Sequence, residues 1–364
     1  MPDWRFELTD SDYRPIGEIR NAKDRTVSLP LSKPDTCGFN VRLDNPLADF
    51  FMSASGNIKA YRNDVLRFFG PIITAEENGA TGDSTIAVTA TSPVWFFGRR
   101  FSVEGTPGGY DLYNNVDRAA IVDDLIINTN FGVGETGVLS DPSNTAASTV
   151  VYYAQCYRKL DEVIGELSSG FAGFDWRCLP YENFDPTTGS VTSTQIGTFY
   201  SRPVIGSNRD EAVFEMGLGT RNNISSYKRT ISRETQANSV WHFAGPNATI
   251  VNATQDESIA TYHVMEDEAQ AEITDNLMRQ QLVSDHIAAR AYPRQVLQFV
   301  PSIDPADIGV VPRFGIDYDV GDAVHVRIVN EGVTRVNALV RIWGVTFSID
   351  ENGMERSAYV LAEE

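Results

Sequence analysis

The sequence predicts an α+β, mainly β chain: two β-barrel domains flank a small α/β insertion, with a long helix just ahead of the last barrel. Three observations carry this. Apolar and polar residues alternate with a period of two near the start of the chain and again at its end, the mark of half-buried strands. Helical spacing is confined to the stretch between them. A β unit closed into a barrel has no exposed sheet edge, which makes the barrel the expected form of each unit.

Residues 1–102 make the first barrel domain. Val27, Leu29 and Leu31 alternate with polar neighbours, and so do Phe39, Val41 and Leu43 around Asn40 and Arg42. Ile86, Val88 and Ala90 continue the alternation, and the phrase SPVWFFGRR extends it. Asp44–Asn45–Pro46 and Asn63–Asp64 carry turn chemistry.

Residues 103–200 make the α+β insertion. Ile121, Val122, Leu125 and Ile126 fall at helical spacing. A longer helix is predicted near Thr149–Leu167, where Tyr153, Cys156, Tyr157, Leu160, Val163, Ile164 and Leu167 share one stripe. GVGETGVLSDPSNTAAS between the two reads as a loop. GFDWRCLPYENF reads as a strand, with Trp176 and Cys178 facing away from Asp175 and Arg177, and DPTTGS turns the chain.

Residues 201–265 are strand-rich (AVFEMGLG, ISSYKRTISRE, SVWHFAG) and belong to the second barrel or to a small accessory domain. Residues 266–364 supply a helix and then the second barrel. The helical pattern runs over 264–292, with Ile273, Leu277, Val283, Ile287 and Ala288 on one stripe and Met278 and Leu282 on another. A helix apolar on two faces is sandwiched between domains or subunits. Glu266, Asp267, Glu268 and Glu272 at its start and Arg290 at its end suit the helix dipole. Val324, Val326 and Ile328, then Val340, Ile342, Val345, Phe347 and Ile349, restore the strand period. Glu351–Asn352–Gly353 supplies a hairpin turn.

Composition narrows the function. The net charge is −19, and no basic block is present, which disfavours binding to nucleic-acid phosphates. A 42% hydrophobic content with 19 Phe excludes general disorder. Cys37, Cys156 and Cys178 give neither a disulfide framework nor a zinc spacing. The opening MPDWRFELTD is not a signal peptide, and no run approaches the ~18 apolar residues of a membrane span. Folding in a reducing cytosol is the expectation.

Chemistry-bearing motifs are few. Gly132-Val133-Gly134-Glu135-Thr136-Gly137 matches G-x-G-x-x-G, but a helical pattern precedes it where a dinucleotide site needs a strand. Asp317, Asp319 and Asp322 of DYDVGD are spaced to share calcium, which wants six to eight oxygens; the distal Glu of the full loop is missing, and a turn into AVHVRI is the plainer reading. Asp123 and Asp124 are adjacent on a helix, about 100° apart, and do not act jointly as acid and base. His242, His263, His286 and His325 are not paired at helical spacing. No catalytic, cofactor-binding or metal-binding residue is therefore assigned, and a non-enzymatic protein without cofactor is expected. Glycoside cleavage needs only two carboxylates at unconstrained spacing, and Trp95, Trp176 and Trp241 offer rings that stack on sugars, so a carbohydrate module stands as an alternative.

The phrases WRFELTD, GEIRNAKDRTVSLPLSKPDTCGFNVRLDNPLAD, IKAYRNDVLRFFGPI and SPVWFFGRR, with IVDDLIINTN and GFDWRCLPYE, resemble minor tail proteins of long-tailed bacteriophages of the actinobacterial type. The C-terminal VGDAVHVRI and GVTRVNALVRIWGVTFSIDENGMERSAYVLAE are similar to the last barrel of tail-hub or baseplate-hub proteins. The resemblance covers most of the chain apart from 200–260. It implies a homotrimer at the tail tip in which each subunit brings two tube-like barrels. Three chains then form a pseudo-sixfold ring that adapts the sixfold tube to threefold tip proteins and lines the DNA channel. The implied partners are further copies of the chain, the distal tail or tube ring above, tip or fibre proteins below, and the tape measure; DNA passes without specific binding. The implied location is the virion, after synthesis in the host bacterial cytoplasm. No lysin or fibre segment follows the last strand, in keeping with a structural role, and the net charge adds the expectation of an electronegative lumen. The alternatives under this resemblance are a carbohydrate-binding or carbohydrate-cleaving tip module for host attachment and a sixfold distal tail ring protein.

Overall fold

A computed structural model describes residues 2–79, 84–102, 110–131, 134–155, 158–169, 173–217, 222–243, 250–269, 276–302 and 311–362. The first unit contains β1 (Trp4–Thr9), β2 (Pro15–Glu18), β3 (Lys23–Pro30), β4 (Thr36–Arg42), α1 (Ala48–Ser53), β5 (Asn57–Arg62), β6 (Val65–Asn78) and β7 (Thr85–Thr91). The insertion contains β8 (Tyr110–Asp117), α2 (Arg118–Phe131), β9 (Val138–Ser140), β10 (Thr149–Gln155), α3 (Leu160–Ser168), β11 (Asp175–Pro180), β12 (Phe184–Asp185), β13 (Ser190–Val191) and β14 (Gly197–Arg202). There follow β15 (Asn208–Met216), β16 (Ile224–Ser232), β17 (Ser239–His242), β18 (Val251–Thr254), α4 (Asp256–Tyr262), β19 (Glu266–Glu268), α5 (Asn276–Arg290) and β20 (Arg294–Pro301). The chain closes with β21 (Ala323–Asn330), β22 (Val333–Ile349) and β23 (Glu355–Ala362).

The same six-strand unit occurs twice. The first runs β1-β5-β6-β7-β4-β3 in space and the second β15-β21-β22-β23-β20-β16, so strands in the same chain order have the same neighbours. The hairpins β5–β6 and β21–β22 match in detail. Each turns on two residues with positive φ, Asn63 (52°) and Asp64 (61°) in one, Glu331 (53°) and Gly332 (75°) in the other. Such turns match the natural twist of a hairpin. Each hairpin then carries a bulge just past its second cross-strand pair: Tyr61 faces Leu66 and Ala60 faces Phe68, as Val329 faces Thr334 and Ile328 faces Val336. One difference stands: β1 is antiparallel to β5, whereas β15 is parallel to β21.

The two units were expected as separate barrels; instead their strands join one 13-stranded sheet. The seam is an antiparallel ladder between β3 and β22, from Pro30 opposite Gly344 to Arg25 opposite Ile349. No ring of strand pairings closes among the described residues. The second unit comes near to closure, because Asn223 bridges its first strand to its second. Asn223 donates its backbone N–H to Glu215 O (3.1 Å), its Oδ1 accepts from Glu215 N (2.7 Å), and its Nδ2 donates to Val213 O (2.8 Å). The side chain thus stands in for a missing ladder. Asn223→Ala is expected to cost about 1–3 kcal/mol, because buried backbone groups of β15 lose their partners; urea denaturation measures it.

One hydrophobic core runs through both units, from Phe6, Phe39 and Phe51 to Phe214, Phe299, Phe314, Phe347 and Tyr359. Fully burying each such ring is worth about 1.5–3 kcal/mol. The insertion has its own core, in which Val122, Leu125 and Ile126 of α2 meet Val163, Ile164 and Leu167 of α3 and Trp176 and Phe199 of the β11–β14 sheet. A small third core joins Val240 and Val251 to Val283 and Ile287 of α5.

Three local expectations are corrected. Thr149–Gln155 is a strand paired to β8, and the helix begins only at Leu160. The β-branched and aromatic run TVVYY fits a pleated surface better than a helix. Cys156 and Tyr157 lie outside the described residues, as do the side chain of Tyr153 and those of Ile273, Leu277 and Met278. Glu266–Glu268 is a strand parallel to β17, so its acids do not sit at a helix start; α5 is described from Asn276 onward. Pro93–Arg99 is a 3₁₀ helix, with Pro93 at its first position, where the missing N–H costs nothing. Gly353 alone of the Glu351–Asn352–Gly353 turn takes positive φ (80°). Among the described residues no helix is long and apolar enough to cross a membrane.

Candidate assembly surfaces

The joined sheet presents one side to the core and one away from it. Eight strands, β6-β7-β4-β3-β22-β23-β20-β16, follow one another across the seam, four from each unit. A single cross-strand row on the outward side runs Thr74, Thr89, Gly38, Thr26, Ser348, Arg356. The next row carries Thr36, Ser28, Thr346 and Ala358. Ser28 and Thr346 bond directly through their hydroxyls (3.0 Å). Around the seam this face is short and hydroxylated, with Arg356 at the end of one row; farther out the same side of the sheet carries Glu76, Arg294 and Lys228. Short hydroxylated side chains hold water and offer no fixed charge to a passing polyanion.

A second feature is charged, with Arg341, Asp175 and Asp322 buried and Asp319 and Arg209 partly exposed. It lies where the insertion meets both units. Asp319 receives Arg177 of β11 (3.2 Å) and Arg67 of β6 (3.5 Å). Arg341 of β22 donates to Asp175 of β11, to Ile205 O (2.7 Å) and to Gly321 O (3.0 Å). Asp322 accepts from Ser207 N (2.8 Å) and Arg209 Nε (3.0 Å). Beside this cluster Asp35 is buried, and burial pushes its carboxyl up to about 7, against the pull of Arg177. The first unit and the insertion also meet at Glu182, whose carboxylate accepts from Lys59 and from the Tyr61 hydroxyl (2.7 Å). Lys59 is buried, with its ammonium 4.7 Å above the Phe69 ring. Burial, then the bond to Glu182, raises the Tyr61 phenol. These charges clamp three parts of the chain together.

The sequence-named residues scatter. Asp317 is taken by Arg313 (Nε at 3.1 Å), Asp319 by Arg67 and Arg177, and Asp322 by Arg209, so the three carboxylates serve separate cations. Asp123 accepts from Asn144 (2.8 Å), and Asp124 from the Tyr113 hydroxyl (2.7 Å). His242 bonds Ala269 O, His286 bonds Asp267, and His325 sits 3.6 Å from Asp210. Trp176 stacks on Phe199 inside the insertion core, and Trp95 packs on Phe96. Trp241 lies parallel to the half-exposed Phe243 at 6.5 Å. Gly132 and Val133 of the glycine motif lie outside the described residues; Asn130 Oδ1 accepts from Thr136 N (2.9 Å) in the rest of it. Sequence reasoning missed Lys59 and Arg62 on β5. The available signal was a pair of cations on a strand whose every residue is buried.

The fold defines a class: a repeated β unit fused through one sheet, carrying an α/β insertion. No protein-family model matches the chain, and no curated protein matches it in sequence. Solved structures do. The chain is similar to a tail protein from Neisseria meningitidis MC58 (TM-score 0.62, 10% identity, covering 100% of this chain and 97% of that one). It is similar to the 43 kDa tail protein of prophage MuSo2 from Shewanella oneidensis (TM-score 0.63, 9% identity, 99% and 98% covered). It is similar to the prophage tail protein gp18 from Listeria monocytogenes EGD-e (TM-score 0.52, 12% identity, 99% and 94% covered). The chain therefore has the fold of phage tail proteins along nearly its whole length.

Proposed function

We propose that this chain is a structural hub of a bacteriophage tail tip. In this reading it is a homotrimer whose six β units, two per chain, make a pseudo-sixfold ring. The ring seats the sixfold distal tail or tube ring on one side and threefold tip or fibre proteins on the other, with the tape measure as a further neighbour. One observation supports it above all: the same six-strand unit occurs twice, and the two copies share a sheet. Two quasi-equivalent units per chain let three chains meet a six-membered partner. The role is structural rather than enzymatic.

The Thr- and Ser-rich outward face is the surface best suited to line the channel. On that reading the lumen is hydroxylated around the seam and carries charges of both signs farther out (Glu76, Arg294, Lys228 and Arg356), in place of the uniformly electronegative surface expected from net charge alone. Mass photometry and electron microscopy of the protein, and of virions labelled on it, test the proposal. Rings of three copies at the tail tip are expected. Six copies per layer would replace the hub with a distal ring protein. The carbohydrate reading keeps one surface, the parallel pair Trp241 and Phe243. Binding on a glycan array that is lost in Trp241→Ala would favour it.

A further inference from the structure

We infer that neighbouring copies of this chain join by strand pairing between β16 of one copy and residues 74–78 of β6 in the next. The pairing repeats, between molecules, the seam that joins β3 to β22 within one. This deepens the ring reading above, and rests on it only in supposing that copies associate.

The argument starts from the duplication. β16 is the second unit's equivalent of β3, and β6 is the first unit's equivalent of β22. Within the chain, a β3-type edge of the first unit pairs with the far half of the β22 strand of the second. That leaves one edge of each kind over. Among the described residues β16 pairs only with β20, and the 74–78 part of β6 only with β7. The two leftover edges are the two halves of a second seam. They lie on different units, so they meet in another copy. Such a contact is heterologous, and repeated head to tail it closes into a ring or runs on as a filament.

The register follows from the bulges. β6 shifts register between Ile72 and Thr74, and β22 between Ile342 and Gly344. Placing Thr74 on Gly344 carries Thr89 onto Val360, Gly38 onto Gln298 and Thr26 onto Lys228 through the cross-strand partners. The seam pairs Val27 with Phe347 and Leu29 with Val345. The intermolecular ladder then sets Arg229 opposite Glu77 and Ile231 opposite Ala75.

Two independent features fit that register. The first is charge. β16 offers Lys228 and Arg229, and the β6 edge offers Glu76 and Glu77, so each edge repels its own kind and attracts the other. Within the chain the Arg229 guanidinium bonds to neutral groups, Gln295 Oε1 and Arg335 O. The second is apolar burial. Leu29 at the existing seam is 1% exposed, whereas its equivalent Ile231 is 58% exposed. A second copy would cover it.

Charge reversal provides the test, read by mass photometry and by sedimentation over a concentration series. Arg229→Glu alone and Glu77→Arg alone are each expected to weaken self-association roughly tenfold or more. The double variant is expected to recover it, whereas a mixture of the two singles is expected to pair alternately and so to leave one like-charged junction in any ring of three. In parallel, Ile231→Cys with Ala75→Cys in one chain is oxidised at high concentration. Intermolecular disulfides beyond those of the unmodified protein are expected. Rings that form but ignore both reversals would overturn this ladder and leave the ring reading standing. No association at any concentration, together with no cross-link, would overturn both. Loss in the singles without recovery in the double would also overturn the ladder, because the charges would then act elsewhere.

Discussion

Arg62→Ala is expected to destabilise the fold by about 3–5 kcal/mol, the largest effect of any single substitution considered. Arg62 of β5 forms a two-pronged pair with Glu355 of β23: Nε to Oε2 at 2.7 Å and Nη2 to Oε1 at 2.9 Å. Both side chains are about nine-tenths buried, at 10% and 9% exposure. Nη1 donates to Phe314 O (3.1 Å), and Trp4 Nε1 also donates to Glu355. The guanidinium lies near the Phe314 and Phe347 rings, 5.9 and 5.3 Å from their centres. The pair therefore ties the first unit to the second in the middle of their shared core. Burial disfavours the guanidinium charge, yet Glu355 more than compensates and raises its pKa. Removing Arg62 leaves a carboxylate in the core with only the indole N–H of Trp4 and little solvent. Urea unfolding curves of the native protein and the variant give the difference. Removing both partners, as Arg62→Met with Glu355→Leu, is expected to recover most of the loss, because no charge is then stranded. A single variant as stable as the native protein would mean that the two units do not depend on this pair.

Much of the fold was legible because it is written locally. The alternation of Phe39, Val41, Ile86 and Val88, and of Val324, Val326 and Ile328, marks strands whose inward residues are buried. Asn63–Asp64 marks a two-residue hairpin, and the structure places positive φ on both. What was not legible is long-range. Nothing in VSLPLSKP or WGVTFSI states that Val27 faces Phe347 across 320 positions of chain, so the units were read as closed barrels and not as one joined sheet. Register between distant strands is set by the full core and not by period alone. The same limit hid Glu355 as the partner of Arg62 and Glu182 as that of Lys59. Thr149–Gln155 failed for a different reason. Its aromatic residues matched a helical stripe by spacing, and the strand preference of three β-branched residues in a row won. DYDVGD reads as a turn more plainly than as a shared calcium site, and in that turn Asp317, Asp319 and Asp322 meet separate arginines.

Stability is expected to fall as pH rises from about 4 to about 7, and Asp35→Asn is expected to remove much of that slope. Asp35 is 3% exposed in the loop between β3 and β4, where the insertion packs. Its backbone is fixed: Ser92 N and Thr91 Oγ1 donate to Asp35 O, and Asp35 N donates to Ser92 Oγ (3.0 Å). The side chain lies in the interior, away from bulk water. Desolvation raises its pKa from 3.8 to about 7, Arg177 pulls it down and Asp319 pushes it up. The folded protein thus holds a proton that the unfolded chain releases. Between the two values the folded state binds more protons, so each unit of rising pH removes up to about 1.4 kcal/mol. The contribution is complete below pH 4, lost by pH 7, and level beyond. Burial also raises Asp123, which adds slope of the same sign, so the comparison of variant with native protein isolates Asp35. Asparagine has the shape of the protonated acid and does not titrate. The variant is expected to match the native protein near pH 4 and to exceed it by about 2–4 kcal/mol at pH 8. Urea midpoints at pH 4, 6 and 8 measure this. Parallel curves for the two proteins would show that Asp35 ionises freely in the fold, and the insertion would then meet the first unit through a wetter junction than its burial implies.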